Sequence, residues 1–291
     1  MSVTSEIMIE PLPATLGATV GGLRLAELDD ASWRVVEDAF HRYALLIFRG
    51  QFLSDEQQLA FGRRFGQLEP GLTLAPISNV TPEGEVRLSG GTVMQMLRGN
   101  EGWHTDSSYM PLSAKASMLS AHVVPRSGGE TEWADMRAAY DALDDATKSR
   151  IESLSAFHSI RYSQAQLGFA SVLTGAYGYD VEDPPRRPLV KVHPVTGRPA
   201  LYIGRHAHAV PGLAPDESTR LLADLLAFAC QPPRVYGHRW EPGDIAVWDN
   251  RCVLHHACTY NYREPRVMKH TRVSGEATEQ AAHCGYASVS D

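Results

Sequence analysis

The chain has 291 residues, 43% of them hydrophobic and 21% charged, with a formal net charge of −7. That composition suits a globular protein able to bury a substantial core, and an acidic balance without a long basic run argues against nucleic acid while leaving room for a local basic pocket. No apolar run approaches the roughly 20 residues of a membrane span, the start MSVTSEIMIEPLP lacks the basic and apolar regions of a secretory signal, and Cys230, Cys252, Cys258 and Cys284 show no CxxC spacing, so a cytoplasmic protein with reduced thiols is expected.

In chain order, residues 7–9 and 17–22 read as short strands. Asp29 or Asp30 can cap a helix through Trp33, Val36, Phe40 and Tyr43, whose spacings of three and four mark one helical face. The run 44–48 is a buried strand, and Ser54-Asp55-Glu56-Gln57 is a capping-box pattern that opens a second helix, closed by Gly66. Prolines and glycines loosen residues 67–102. Within them 77–80 and 93–97 read as strands, and the segment as a whole as a pocket wall or lid, because it leads into His104. Strands follow at 116–124 and 131–133, on either side of the Gly128-Gly129 turn, then helices starting at Asp135 and running through Ile151 and Leu154. The stretch 161–188, rich in Gly, Tyr, Pro and Ser, is a second candidate lid. A hairpin turning at 196–199 with a return strand at 201–203, a helix from about 215 to 230, strands at 234–236, 245–248 and 266–273, and a loose polar tail 276–291 complete the chain. With no repeat and no linker, the pattern fits one domain over 1–291 that is mainly β with packed helices, a barrel or sandwich.

The chemistry centres on Trp103-His104-Thr105-Asp106. On an extended strand, residues two apart share a face, so His104 and Asp106 can grip one ion. His255, just past the turn Trp248-Asp249-Asn250-Arg251, would complete a two-histidine, one-carboxylate face, which leaves open positions on Fe(II) for an oxo acid and O2. His256 would point the other way on a strand. Zinc also accepts such ligands, but a zinc hydrolase needs a further carboxylate as general base, and no HExxH pattern supplies one. Arg266 offers a guanidinium fork for the distal carboxylate of a 2-oxo acid, and Thr131 a hydroxyl. Arg266, Met268, His270 and Arg272 alternate, so all can face one side. Ser78, Asn79, Met94, Met96, Arg98 and Tyr109 are candidates for the pocket lining, and the pair His206 and His208 is read as structure or pocket wall rather than a second metal site.

These motifs, with Gly128-Gly129-Glu130-Thr131 and Met268, resemble the taurine dioxygenase / 2,4-D dioxygenase family of Fe(II)- and 2-oxoglutarate-dependent oxygenases over 14–275. The stretches 14–20, 134–143, 204–209, 250–252 and 265–268 are similar to the aryloxyalkanoate branch that acts on (S)-phenoxypropionates such as S-dichlorprop. The resemblance implies a double-stranded β-helix (jelly-roll, cupin-like) core, iron on His104, Asp106 and His255, and 2-oxoglutarate on Thr131 and Arg266, with O2 as oxidant and ascorbate as a stimulant. It implies hydroxylation of the carbon beside the ether oxygen of a small anionic aromatic acid. The products would be a phenol, pyruvate or glyoxylate, succinate and CO2. A homo-oligomer without nucleic-acid or membrane partners is expected. Where many members carry a second arginine four residues after the first, this chain has His270, so His270 and Arg272 stand as substrate-anchoring candidates by position alone. The alternatives are the same chemistry on a sulfonate, alkyl sulfate or other carboxylate, or else a zinc hydrolase or an inactive metal-binding module.

Overall fold

The computed structural model describes residues 6–71, 73–87, 91–169 and 177–280. Its centre is a seven-stranded sheet in the order Met8–Pro11, Ala18–Gly21, Leu45–Phe48, Ile245–Asp249, Ala114–Val123, Val267–Ser274, Ala75–Ser78. All neighbours are antiparallel except Ala18–Gly21 with Leu45–Phe48. A three-stranded sheet, Val235–His238, Thr131–Asp135 and Val253–Ala257, lies against it. Together they make a jelly-roll-like sandwich with helices outside.

Side-chain alternation along the strands sorts the interior into two cores. Leu45, Ile47, Leu119, Ala246, Trp248 and Met268 face the smaller sheet and meet Trp133, Val253 and Leu254. Leu46, Phe48, Met118, Val247 and Val273 face the other way, under Trp33, Val36, Phe40, Phe61 and Phe65. The last five belong to the helices Asp30–Tyr43 and Asp55–Phe65. The first is capped by Asp29, which accepts from Ser32 N at 2.8 Å, and the second by the complete Ser54/Gln57 capping box. Gly62 lets the second helix approach closely: a Cβ there would lie 3.0 Å from Leu68 Cδ2 and 3.1 Å from Thr271 Cγ2. That helix covers the back of Val267–Ser274, and Gln58 donates to Thr271 Oγ1 at 3.1 Å.

Several expectations need correction. Residues 93–97 are not a strand but part of the helix Gly91–Gly99; Met94 and Leu97 are buried at a spacing of three, while Val93 faces out. The helix ending near Ile151 stops there, at Asp145–Ile151, and leaves Leu154 outside. The hairpin's return strand is Pro199–Leu201, two residues earlier than read. The second lid candidate contains most of a short helix, Ile160–Ala165, and a strand, Arg186–Pro188; its residues 170–176 lie outside the described residues, as do 72 and 88–90 of the first. In the tail, Ala277–Gln280 is helical and 281–291 lie outside the described residues. No helix among the described residues is long and apolar enough to cross a membrane, and the described cysteines Cys230, Cys252 and Cys258 are free thiols.

Candidate active site

The open mouth between the sheets carries the site. His255 lies on Val253–Ala257, and His104 joins that strand's edge through a reciprocal backbone pair, His104 N to His255 O at 2.9 Å and His255 N to His104 O at 2.8 Å. The two rings lie 4.2 Å apart between centroids. Asp106 is not on a strand as expected: the extended segment ends at His104, and the chain turns, with Ser107 at φ 53°. The turn still aims its carboxylate at both imidazoles. His104 Nε2 lies 4.0 Å from Asp106 Oδ1, and His255 Nε2 3.7 Å from Oδ2. The three ligand atoms lie within 4.8 Å of one another.

This donor set fits a divalent first-row cation. His104 Nδ1 faces the Gly102 carbonyl at 2.8 Å, which fixes the proton there and leaves the Nε2 lone pair free. Burial lowers the His104 imidazole to about 4, against the pull of Asp106, and burial with His104 alongside lowers His255 well below the ordinary range. Both rings are therefore neutral and ready to ligate. Burial would raise the Asp106 carboxyl, but Arg272, His270 and His255 outweigh it and hold it well below the usual carboxylate range. Arg272 Nη2 stands 2.9 Å from Asp106 Oδ1 and His270 Nε2 3.4 Å from Oδ2.

Ser117, which carries no signal of its own in the sequence, and Asn250 of the Trp248–Arg251 turn hold Asp106. Ser117 Oγ donates to Asp106 Oδ2 at 2.7 Å and accepts from Asn250 Nδ2 at 2.8 Å. Asn250 Oδ1 accepts from Asp106 N, Thr105 Oγ1 and Trp248 Nε1 at 3.2, 3.2 and 3.1 Å. The turn that presents Asn250 is locked by the buried Asp249 carboxylate, which binds Arg251 at 2.8 and 2.7 Å and His193 at 2.9 Å. The Trp248–Arg251 motif is thus the frame of the metal carboxylate. Ser117→Ala should weaken metal affinity by about 10- to 100-fold, the usual cost of losing such a supporting hydrogen bond, as read by metal titration; unchanged affinity would show that Asp106 needs no such support.

A second charged group waits beside the metal face. Arg266 is buried, its Nη2 donates to Gly129 O at 3.1 Å, and its Nε–H has no hydrogen-bond partner among the described residues. The Gly128-Gly129 turn makes room for it: both residues have positive φ, and a Cβ on Gly129 would stand 3.2 Å from Arg266 Nε. Asn79 anchors the start of the strand, accepting from Arg266 N at 2.8 Å and donating to Tyr262 O and Glu264 O. A buried guanidinium with an unsatisfied donor calls for an anion. Thr131, on the same pocket wall, accepts from Trp240 Nε1 at 3.0 Å, which leaves its hydroxyl proton to give. The residues fit the distal carboxylate of a dicarboxylic oxo acid.

On the other side of the metal face lies a cavity of about 270 Å³. Ile77, Met96, Ile160, Tyr109 and Tyr177 give it an apolar and aromatic side; Arg205, His206, His270 and Arg272 give it a basic one. Both lid candidates contribute, the first through 75–77, Met96 and Asn100 and the second through Gln164 and Tyr177. Of the lining candidates, Tyr109 is in place. Arg98 is not: on the helix Gly91–Gly99 it points to solvent. Ser78 spends its hydroxyl on Val80 N at 2.9 Å, and Asn79 supports Arg266 rather than the cavity. His206 is a wall residue, bound to Ser163 Oγ at 2.8 Å, while His208 stacks on Tyr162 behind it.

A jelly-roll sandwich with a two-histidine, one-carboxylate face and a buried arginine beside it defines a non-haem Fe(II) oxygenase site. Residues 8–272 match the family "Taurine catabolism dioxygenase TauD, TfdA family", and the chain belongs to it. It is 53% identical over 280 residues to an (S)-phenoxypropionate/alpha-ketoglutarate-dioxygenase of Sphingobium herbicidovorans, covering 94% of this chain and 97% of that relative. A protein of the same description from Delftia acidovorans is 50% identical over 287 residues, 96% and 98% of the two chains. Among solved structures, AAD-2 in complex with Mn(II) and N-oxalylglycine superposes with a TM-score of 0.87 at 41% identity, covering 93% of this chain and 97% of that one.

Proposed function

We propose that the protein is an Fe(II)- and 2-oxoglutarate-dependent dioxygenase of aryloxyalkanoic acids, with O2 as co-substrate and (S)-2-phenoxypropionates as the substrate class. The observation that carries this reading is the meeting of three features in one mouth: a His104–Asp106–His255 donor face of two imidazoles and a carboxylate, a buried Arg266 with an unsatisfied donor, and a cavity with one aromatic and one basic wall.

Iron and 2-oxoglutarate, when bound, supply the O2-dependent oxidising power that replaces a C–H bond with C–OH. The chain's residues do the rest. His104, Asp106 and His255 would hold the ion from one side, with positions left for the oxo acid and O2. Ser117 and Asn250 fix the carboxylate. Arg266 and Thr131 receive the distal carboxylate of 2-oxoglutarate and so set its oxo-acid end toward the metal face. On the far side, the Arg272 guanidinium offers positive charge and the His270 ring a hydrogen-bonding nitrogen to the substrate's acid group, and Tyr109, Ile77 and Met96 line the space for its aryl ring. Held so, the substrate would turn the carbon between its carboxylate and its ether oxygen toward the metal face. Hydroxylation there gives a hemiketal, which collapses to a phenol and pyruvate without further help.

A substrate panel tests this reading. With Fe(II), ascorbate and 2-oxoglutarate, (S)-dichlorprop should release phenol faster than its (R)-enantiomer, and both faster than a sulfonate or alkyl sulfate releases its product. Preference for the sulfonate or sulfate would move the protein to another substrate class on the same chemistry.

A further inference from the structure

We infer that Glu132, His256 and Cys258 form a second divalent-cation site, on the outer face of the smaller sheet and separate from the His104–Asp106–His255 centre, suited to a borderline-soft ion such as Zn2+. Strand geometry brings the three together. His256 and Cys258 are two residues apart, on the side opposite His255, and Glu132 is registered directly across from His256. Their ligand atoms lie within 4.8 Å of one another, and His256 Nε2 is 2.9 Å from Glu132 Oε2.

The surroundings of His256 set it in the orientation of a ligand. Its Nδ1 faces the Glu101 carbonyl at 3.1 Å, and its Nε2 faces the Glu132 carboxylate. A ligating histidine whose other nitrogen is held by a backbone carbonyl is the usual arrangement in metal sites, and here Nε2 is the nitrogen turned toward Glu132. Trp103 packs on the His256 ring at 4.1 Å and fixes its plane. The field is negative as well: burial, Glu132 and Glu130 push the Cys258 thiol up to about 11, and a bound cation would reverse that by stabilising the thiolate. The donor set of one thiolate, one imidazole and one carboxylate matches zinc with a water in the fourth position, which half-exposed ligands permit.

Cobalt is a probe that separates the two centres, because only a thiolate ligand gives Co2+ its intense near-ultraviolet charge-transfer absorption. The full-length protein, titrated with Co2+ without 2-oxoglutarate, should develop that absorption and bind one more ion per chain than Cys258→Ser does. Cys258→Ser should lose the absorption yet keep its phenol-releasing activity, which shows that it folds. His256→Gln and Glu132→Gln should each weaken the thiolate signal's Co2+ affinity, and Cys230→Ser should leave it intact. Saturation of the protein without any thiolate absorption overturns the proposal, as does absorption that survives Cys258→Ser or disappears in Cys230→Ser.

Discussion

Arg266→Gln should raise the 2-oxoglutarate concentration needed for half-maximal turnover by roughly 30-fold or more, with little change in the requirement for the aryloxy acid. The size follows from the environment: truncating one partner of a buried, hydrogen-bonded charge pair costs about 2–5 kcal/mol, and about 1.4 kcal/mol is a factor of ten. The variant also separates a ligand-binding arginine from a structural one. Without ligand, the Arg266 guanidinium is buried with an unsatisfied Nε–H, its Nη2 on the Gly129 carbonyl and its Cζ over the Tyr260 ring at 5.8 Å. Replacing it by a neutral side chain removes a buried charge, so the ligand-free protein should melt no lower than the wild type. The rise in melting temperature that 2-oxoglutarate gives the wild type should vanish. A variant that melts early but still binds 2-oxoglutarate at the wild-type concentration would make Arg266 a scaffold residue.

Asp106→Ala should abolish metal-dependent turnover and, separately, destabilise the metal-free fold. The second effect arises from Arg272, whose guanidinium is largely buried 2.9 Å from the Asp106 carboxylate and would lose that partner. Breaking a buried pair from one side costs about 3–5 kcal/mol. Adding Arg272→Met to Asp106→Ala should return much of the stability, because it removes the stranded charge, and should return none of the turnover. Thermal melting and succinate release measure the two effects independently. Full activity in Asp106→Ala would remove the carboxylate from the metal site.

Much of the frame was legible in local chemistry. The Asp29 and Ser54 caps, the buried strand Leu45–Phe48 and the alternation of Met268, His270 and Arg272 are short-range patterns, set by helix and strand periodicity, and they appear where the sequence puts them. The candidate metal face was legible for a different reason: two imidazoles and a carboxylate, chemistry suited to one ion, stand out even when about 150 residues separate them. The register that unites them was not. Nothing near Ser117 marks it as the serine that bonds Asp106, since its strand reads simply as apolar and buried, and Trp240 reads as another core aromatic although its N–H orients Thr131. Both roles come from neighbours distant in the chain. Residues 93–97 were misread because four apolar side chains in five fit either period, and only the packing of Met94 and Leu97 decides for the helix. That choice of period also turns Arg98 out to solvent and leaves the basic wall to Arg205, His206, His270 and Arg272, which loop and strand geometry gather from separate segments.

The most direct test of the central claim is the coupling of two products in one reaction. Purified protein with Fe(II), O2, 2-oxoglutarate and an (S)-2-aryloxypropionate should form phenol and succinate in equal amounts. Neither should form when Fe(II) is withheld or when Zn2+ replaces it. Phenol release that proceeds with Zn2+ and without 2-oxoglutarate would contradict the account and make the protein a hydrolase.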